Sequence, residues 1–158
     1  MRKFFFGLGV LAAVLIVLGG AGFYMLNRSG DALDRASKAY AERSVVAIAA
    51  NWNADELWKR ASPHLRQIAT YRQIRGLFVA ANAALGPMLE FSGSKGEAVL
   101  TMGGSHPTVS AQYVAAGSFQ KGKAEFRISL VEQHGKWEIE GFHILSSALM
   151  KRLTGIAS

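Results

Sequence analysis

The stretch "FFFGLGVLAAVLIVLGGAGFYML", Phe4 to Leu26, runs for 23 residues without a charge. About 20 apolar residues cross a hydrocarbon core as a helix, so this run predicts a single transmembrane span. Arg2 and Lys3 precede it, which by the positive-inside rule keeps the short N-terminus cytoplasmic and sends the rest of the chain across the membrane. A cleavable signal peptide is the alternative, with Gly19 and Ala21 as small residues near a cleavage point. Apolarity that continues through Phe23, Tyr24, Met25 and Leu26 favours the anchor. Residues 1–27 are therefore read as an anchor or uncleaved signal and 28–158 as one extracytoplasmic α+β domain.

Beyond the run, two periodicities divide the domain. Leu33, Ala36, Tyr40, Val45, Ile48, Ala49 and Trp52 recur largely at three- and four-residue intervals, one buried stripe of a helix. Asn53, Ser62 with Pro63, and Thr70 with Gln73 are successive helix-start signals, and "GP" at 86–87 ends the last helix. From Met88 the period falls to two, and "GSKG" at 93–96, "GGSHP" at 103–107, "KG" at 121–122 and "HG" at 134–135 read as turns. Helices followed by an antiparallel meander predict helices packed on one face of a sheet.

The strand alternation identifies that dry face. Two-residue turns at "HG" and "KG" place Leu130 opposite Ile139, Phe126 opposite His143, and Tyr113 opposite Leu130. On this register Tyr113 and His143 both point inward but lie about 13 Å apart, too far for a catalytic dyad. No Asp follows Asp55, and of the strand glutamates only Glu132, near a turn, shares the inner parity. His143 then has no strand-borne carboxylate deep on the inner face to orient it for base chemistry, which leaves a helix-borne one as the alternative. Tyr113, His143 and Phe126 are candidates for lining an apolar ligand pocket, with ordinary core packing as the simpler reading.

Cysteine is absent, and His64, His106, His134 and His143 share no ligand spacing, so no metal, cofactor or catalytic set is expected. The formal charge of +7 includes Arg2 and Lys3; without them, 16 basic and 11 acidic residues leave +5. That excess is dispersed over the helical half, which argues against nucleic acid. Arg66, Arg72 and Arg75 form a candidate basic face for anionic lipid or an acidic protein.

From Leu33 to Ser147, the segments "NWNADELWKRASPHLR", "LGPM" and "AQYVAAGSFQKGKAEFRISLVEQHGKWEIEGFHI" resemble the nuclear transport factor 2-like superfamily, particularly its small bacterial exported domains. The resemblance implies a curved sheet wrapped around helices as a cone with an internal cavity. Enzymes of that superfamily carry an acidic base in the cavity, and this chain offers none deep on its last three strands. With the predicted span and the positive-inside rule, the expectation is a single-pass protein of the bacterial inner membrane with its C-terminal domain in the periplasm. The expectation is a non-enzymatic domain that binds or scaffolds a protein partner, or forms a homodimer through its sheet. The alternative is a small-ligand cone, binding or enzymatic, with Tyr113 and His143 at the cavity.

Overall fold

A computed structural model describes residues 30–102 and 106–155. The chain divides into two units, Met1–Leu33 and Asp34–Ser158. The architecture is that of the second; of the first, only residues 30–33 are described, as helix. The expected membrane span, residues 4–26, lies outside the described residues, among which no helix is long and apolar enough to cross a membrane.

The domain is α+β. The chain is helical over residues 30–49 (α1), then forms α2 (Ala54–Arg60), α3 (Pro63–Ile68) and α4 (Tyr71–Leu85). Four strands follow, β1 (Met88–Thr101), β2 (Thr108–Phe119), β3 (Gly122–Gln133) and β4 (Lys136–Leu145), and α5 (Ser147–Leu153) closes the order. The strands form one antiparallel sheet in the order β1-β2-β3-β4, a plain meander.

The helix starts follow the side chains that can satisfy free N–H groups. Asn53 accepts from the amides of Asp55 and Glu56, Ser62 from that of Leu65 ahead of Pro63 at the first turn, and Thr70 and Gln73 form a reciprocal capping box. The end of α1 is less ordinary. Asn53 N–H reaches back to the Ile48 carbonyl at 2.8 Å, so Trp52 occupies the left-handed position, φ +52°, that glycine usually takes. Packing explains why a tryptophan tolerates it: its indole N–H donates to the Gly86 carbonyl at 2.8 Å, and its ring stacks on Phe119 at 5.1 Å and meets Phe78 edge-on at 6.0 Å. One residue thus ties α1, α4 and β2 together.

Two expectations about α1 and β1 differ from what is observed. The buried stripe of α1 runs through Ser37, Ala41, Ser44, Val45, Ile48 and Ala49, with Ala36 exposed. "GSKG" is not a turn; β1 passes through it as an irregularity in register between Phe91 and Ser94. The glycines bend the strand without ending it. At Gly96, φ +155°, an added Cβ would lie 1.9 Å from the Gln112 carbonyl oxygen, so only glycine fits against β2. This edge strand is hooked to α1, since Glu42 Oε1 accepts from Ser94 N (3.1 Å) and Oγ (2.9 Å), and Asp34 Oδ1 accepts from Ala98 N at 2.6 Å. Edge amides that would otherwise invite another chain are thereby occupied.

The closing turn at His134 and Gly135 has positive φ at both residues, and Gln133 faces Lys136 as its length dictates. The preceding hairpin turns at Gln120 and Lys121, one position earlier than expected, which pairs Phe119 with Gly122 and Tyr113 with Ile128 instead of Leu130. Parity is unchanged, so Tyr113 stays on the inner face. α5, for which nothing in the strand pattern prepared, packs against α4 and buries Leu149.

Candidate functional site

The inner face is a filled core. Ala111, Tyr113, Ala115 and Phe119 of β2 and Ala124, Phe126, Ile128 and Leu130 of β3 are buried against residues of α1, α2, α3 and α4. Phe126 packs within an aromatic cluster, 5.7 Å from Phe142 and 6.1 Å from Trp52. The Tyr113 hydroxyl lies 2.8 Å from Ser37 Oγ and donates to the Asp34 carbonyl at 3.1 Å. Burial pushes its phenol pKa up, partly countered by the Ser37 hydrogen bond. A phenol so held is a packing group that locks α1 onto the sheet, not a proton donor facing a chamber.

His143 is not on that face. Leu130 pairs with Ile139 as expected, but Ser129 pairs with Gly141, leaving Glu140 as an extra residue in β4. Such a bulge reverses the parity of everything after it. Phe142 and Ile144 therefore lie opposite Ile128 and Phe126, and His143 lies opposite Arg127 and is exposed. The apolar pattern is the reason: Ile139, Phe142 and Ile144 can all face the core only if one residue is inserted between the first and second. The expected inward pairing of His143 with Phe126 is corrected accordingly, and Tyr113 and His143 sit on opposite sides of the sheet.

The outer face is different in kind. Val114 of β2, flanked by Lys95 of β1 and Arg127 of β3, and Gln112, flanked by Glu97 and Ser129, line a shallow groove of about 480 Å³. A second depression of about 420 Å³ shares Lys95 and Val114 and extends over Ser92, Gly93 and Ser94 toward Lys38 and Glu42 of α1. His143 borders the first on the Arg127 side, its Nε2 only 3.7 Å from where a Cβ on Gly141 would stand. Arg127 Nε approaches Glu125 Oε1 at 3.6 Å, an exposed pair worth little to stability and free to re-pair with a partner. An apolar side chain at the centre, ringed by hydrogen-bonding and both signs of charge, has the chemistry of a protein-contact surface. Lys95 falls in the "GSKG" stretch expected to be a turn, and it is the observed strand order that brings Lys95, Val114 and Arg127 side by side.

The basic trio lies on two successive helices, Arg66 on α3 and Arg72 with Arg75 on α4. Arg66 Nη2 donates to the Trp58 carbonyl at 2.9 Å and its guanidinium lies 5.4 Å from the Trp58 ring centroid. Arg72 is exposed on α4, and Arg75 lines a polar cleft of about 450 Å³ with Asn51, Asp55, Tyr71 and Asn82. There Tyr71 donates to Asp55 Oδ1 at 2.7 Å, which raises the phenol pKa.

No family model, curated protein or solved structure matches this chain. Among the described residues, no group of three or more His, Asp or Glu could hold a metal ion. The groove on the outer sheet face offers a partner shape, hydrogen bonds and charge.

Proposed function

We propose that this protein is a membrane-anchored extracytoplasmic domain of nuclear transport factor 2-like fold that binds a protein partner on the outer face of its sheet and does no chemistry of its own. The observation that carries the reading is the contrast between two adjacent rows of the sheet: Tyr113 and Ile128 are buried while their neighbours Val114 and Arg127 are exposed at an open groove. The helices-then-meander order supports the cone-type architecture, with its interior occupied by aromatic side chains. The uncharged run at 4–26 supports the anchor.

The test is a photo-crosslinking residue at position 114, with the same residue at Gln67 on exposed α3 as control, in the full chain in its native membrane. A discrete product at 114, absent at 67 and lost in Arg127→Glu, is expected. A mass of twice the chain would identify the partner as a second copy, and any other mass a different protein. Equal products at both positions, or none at 114, would contradict the proposal.

A further inference from the structure

The polar cleft of about 450 Å³ is lined by the turn between α1 and α2, the start of α2 and one face of α4, with no residue from the sheet. On α4 its residues run from Tyr71 through Arg75 to Asn82, spaced by three and four so that they share a stripe about 16 Å long. Two long-range bonds fix α4 against the opposing wall. Tyr71, at its first position, donates to Asp55 of α2 at 2.7 Å, and the Gly86 carbonyl, just past its end, accepts from the Trp52 indole at 2.8 Å. The cleft is thus framed at both ends by the fold itself, and its size falls within the roughly 300–1,000 Å³ of small-ligand sites.

Its polar groups are left over from folding. Among the described residues, the side chains of Asn51, Arg75 and Asn82 form no hydrogen bond or ion pair, and Asp55 accepts from Tyr71 through Oδ1 alone. Arg75 and Asp55 therefore line one cavity with opposite charges that do not meet. The bond from Tyr71 draws the carboxylate to the start of α4, one turn before Arg75. Beside these charges the wall is apolar: Trp52 and Phe78 are buried, and Val79 is 66% exposed. A polyanion such as phosphate would meet Asp55 as well as Arg75, and a simple cation would meet Arg75 as well as Asp55. A ligand carrying both signs is complementary to the whole cleft.

We infer that this cleft binds a small zwitterion of the amino-acid or short-peptide class, its carboxylate on the Arg75 guanidinium, its ammonium on Asp55 and its side chain against Val79. A guanidinium takes a carboxylate through two parallel N–H donors, and the amides of Asn51 and Asn82 supply further donors and acceptors around it. The site shares no residue with the groove on the outer sheet face and does not depend on it.

Trp52 lines the cleft, so its indole N–H resonance reports occupancy, with Trp137 on β4, outside the cleft, as the internal control. L-Leucine is titrated into the isotope-labelled full chain in mild detergent, alongside 4-methylpentanoate and 3-methylbutylamine, which are leucine without its amino group and without its carboxyl group. Leucine should move the Trp52 resonance saturably and leave that of Trp137 in place, and each single-charge analogue should bind about tenfold or more weakly. Arg75→Gln and Asp55→Asn should each weaken leucine by a similar factor, whereas Arg72→Gln, on the same helix but outside the cleft, should not. All three positions are exposed, so the fold survives these changes, and an unshifted Trp137 resonance checks it. Leucyl-alanine run in parallel identifies the source: tighter binding than leucine assigns the cleft to peptides, weaker binding to free amino acids. No saturable shift with either, equal binding of a single-charge analogue, or full affinity in Arg75→Gln would overturn the inference.

Discussion

Consecutive residues on β2 show two different uses of one sheet. Tyr113 is buried with its hydroxyl bonded to Ser37 and the Asp34 backbone; Val114, its neighbour, is 42% exposed at the centre of a groove between Lys95 and Arg127. The inner face has spent its side chains on packing, and every polar atom at Tyr113 is satisfied within the fold. The outer face instead leaves Lys95, Gln112 and the loosely paired Arg127 exposed at the groove. A domain of this size has to bury one face, and specificity must then be written on the other.

The sharpest way to break the inner face is at Trp52. Trp52→Ala removes the stack on Phe119 and leaves the Gly86 carbonyl without its donor. A loss of about 3–5 kcal/mol is expected in urea unfolding. Gly96→Ala comes next, because its Cβ would overlap the Gln112 carbonyl of the adjacent strand. Relief requires moving backbone, at a cost on the order of 1–3 kcal/mol by the same measurement.

Tyr113→Phe tests the buried hydrogen bonds alone and should cost about 1–2 kcal/mol. It also has a pH signature. Burial raises the Tyr113 pKa in the folded protein, so above about pH 10 the unfolded phenol ionises while the folded one holds its proton. The unfolded state then binds fewer protons, and stability falls with rising pH. Tyr40 and Tyr71 are raised too, Tyr40 chiefly by burial and Tyr71 by its bond to Asp55, so Tyr113→Phe should flatten the alkaline slope in part.

On the outer face the same measurements should register almost nothing. Val114→Ser and Arg127→Ala are each expected within about 0.5 kcal/mol of the wild type, while reducing partner crosslinking. A loss of 2 kcal/mol or more at Val114, of the size seen for a buried side chain, would mean that this face too is covered within the fold.

Local chemistry made the helix starts readable. Asn53, Ser62 with Pro63, and Thr70 with Gln73 each satisfy amides within three residues, so nothing distant could override them. The His134–Gly135 turn is equally local. The failures lie where a distant partner decides. Trp52 accepts a left-handed backbone because Phe119, 67 positions later, pays for it by stacking. Glu42 and Asp34 hold β1 across 52 and 64 residues, so "GSKG" bends without turning. The β4 bulge did leave a trace in the sequence, Gly141 inside a strand and apolar residues at 139, 142 and 144 rather than 139, 141 and 143. Reading Trp137, Ile139, Gly141 and His143 as a strict alternation carried the histidine to the wrong face. The groove itself was out of reach, since it joins β1, β2 and β3, whose register depended on the irregularity between Phe91 and Ser94 and on the Gln120–Lys121 turn.

The bulge at Glu140 decides whether the interior is a sealed core or a chamber with a histidine in it. In a chain without native cysteines, single substitutions Val114→Cys, Phe142→Cys and His143→Cys can be compared for maleimide labelling under native conditions. Positions 114 and 143 should label at similar, fast rates and position 142 markedly more slowly. Protection at 143 together with fast labelling at 142 would place the imidazole inside and contradict the account.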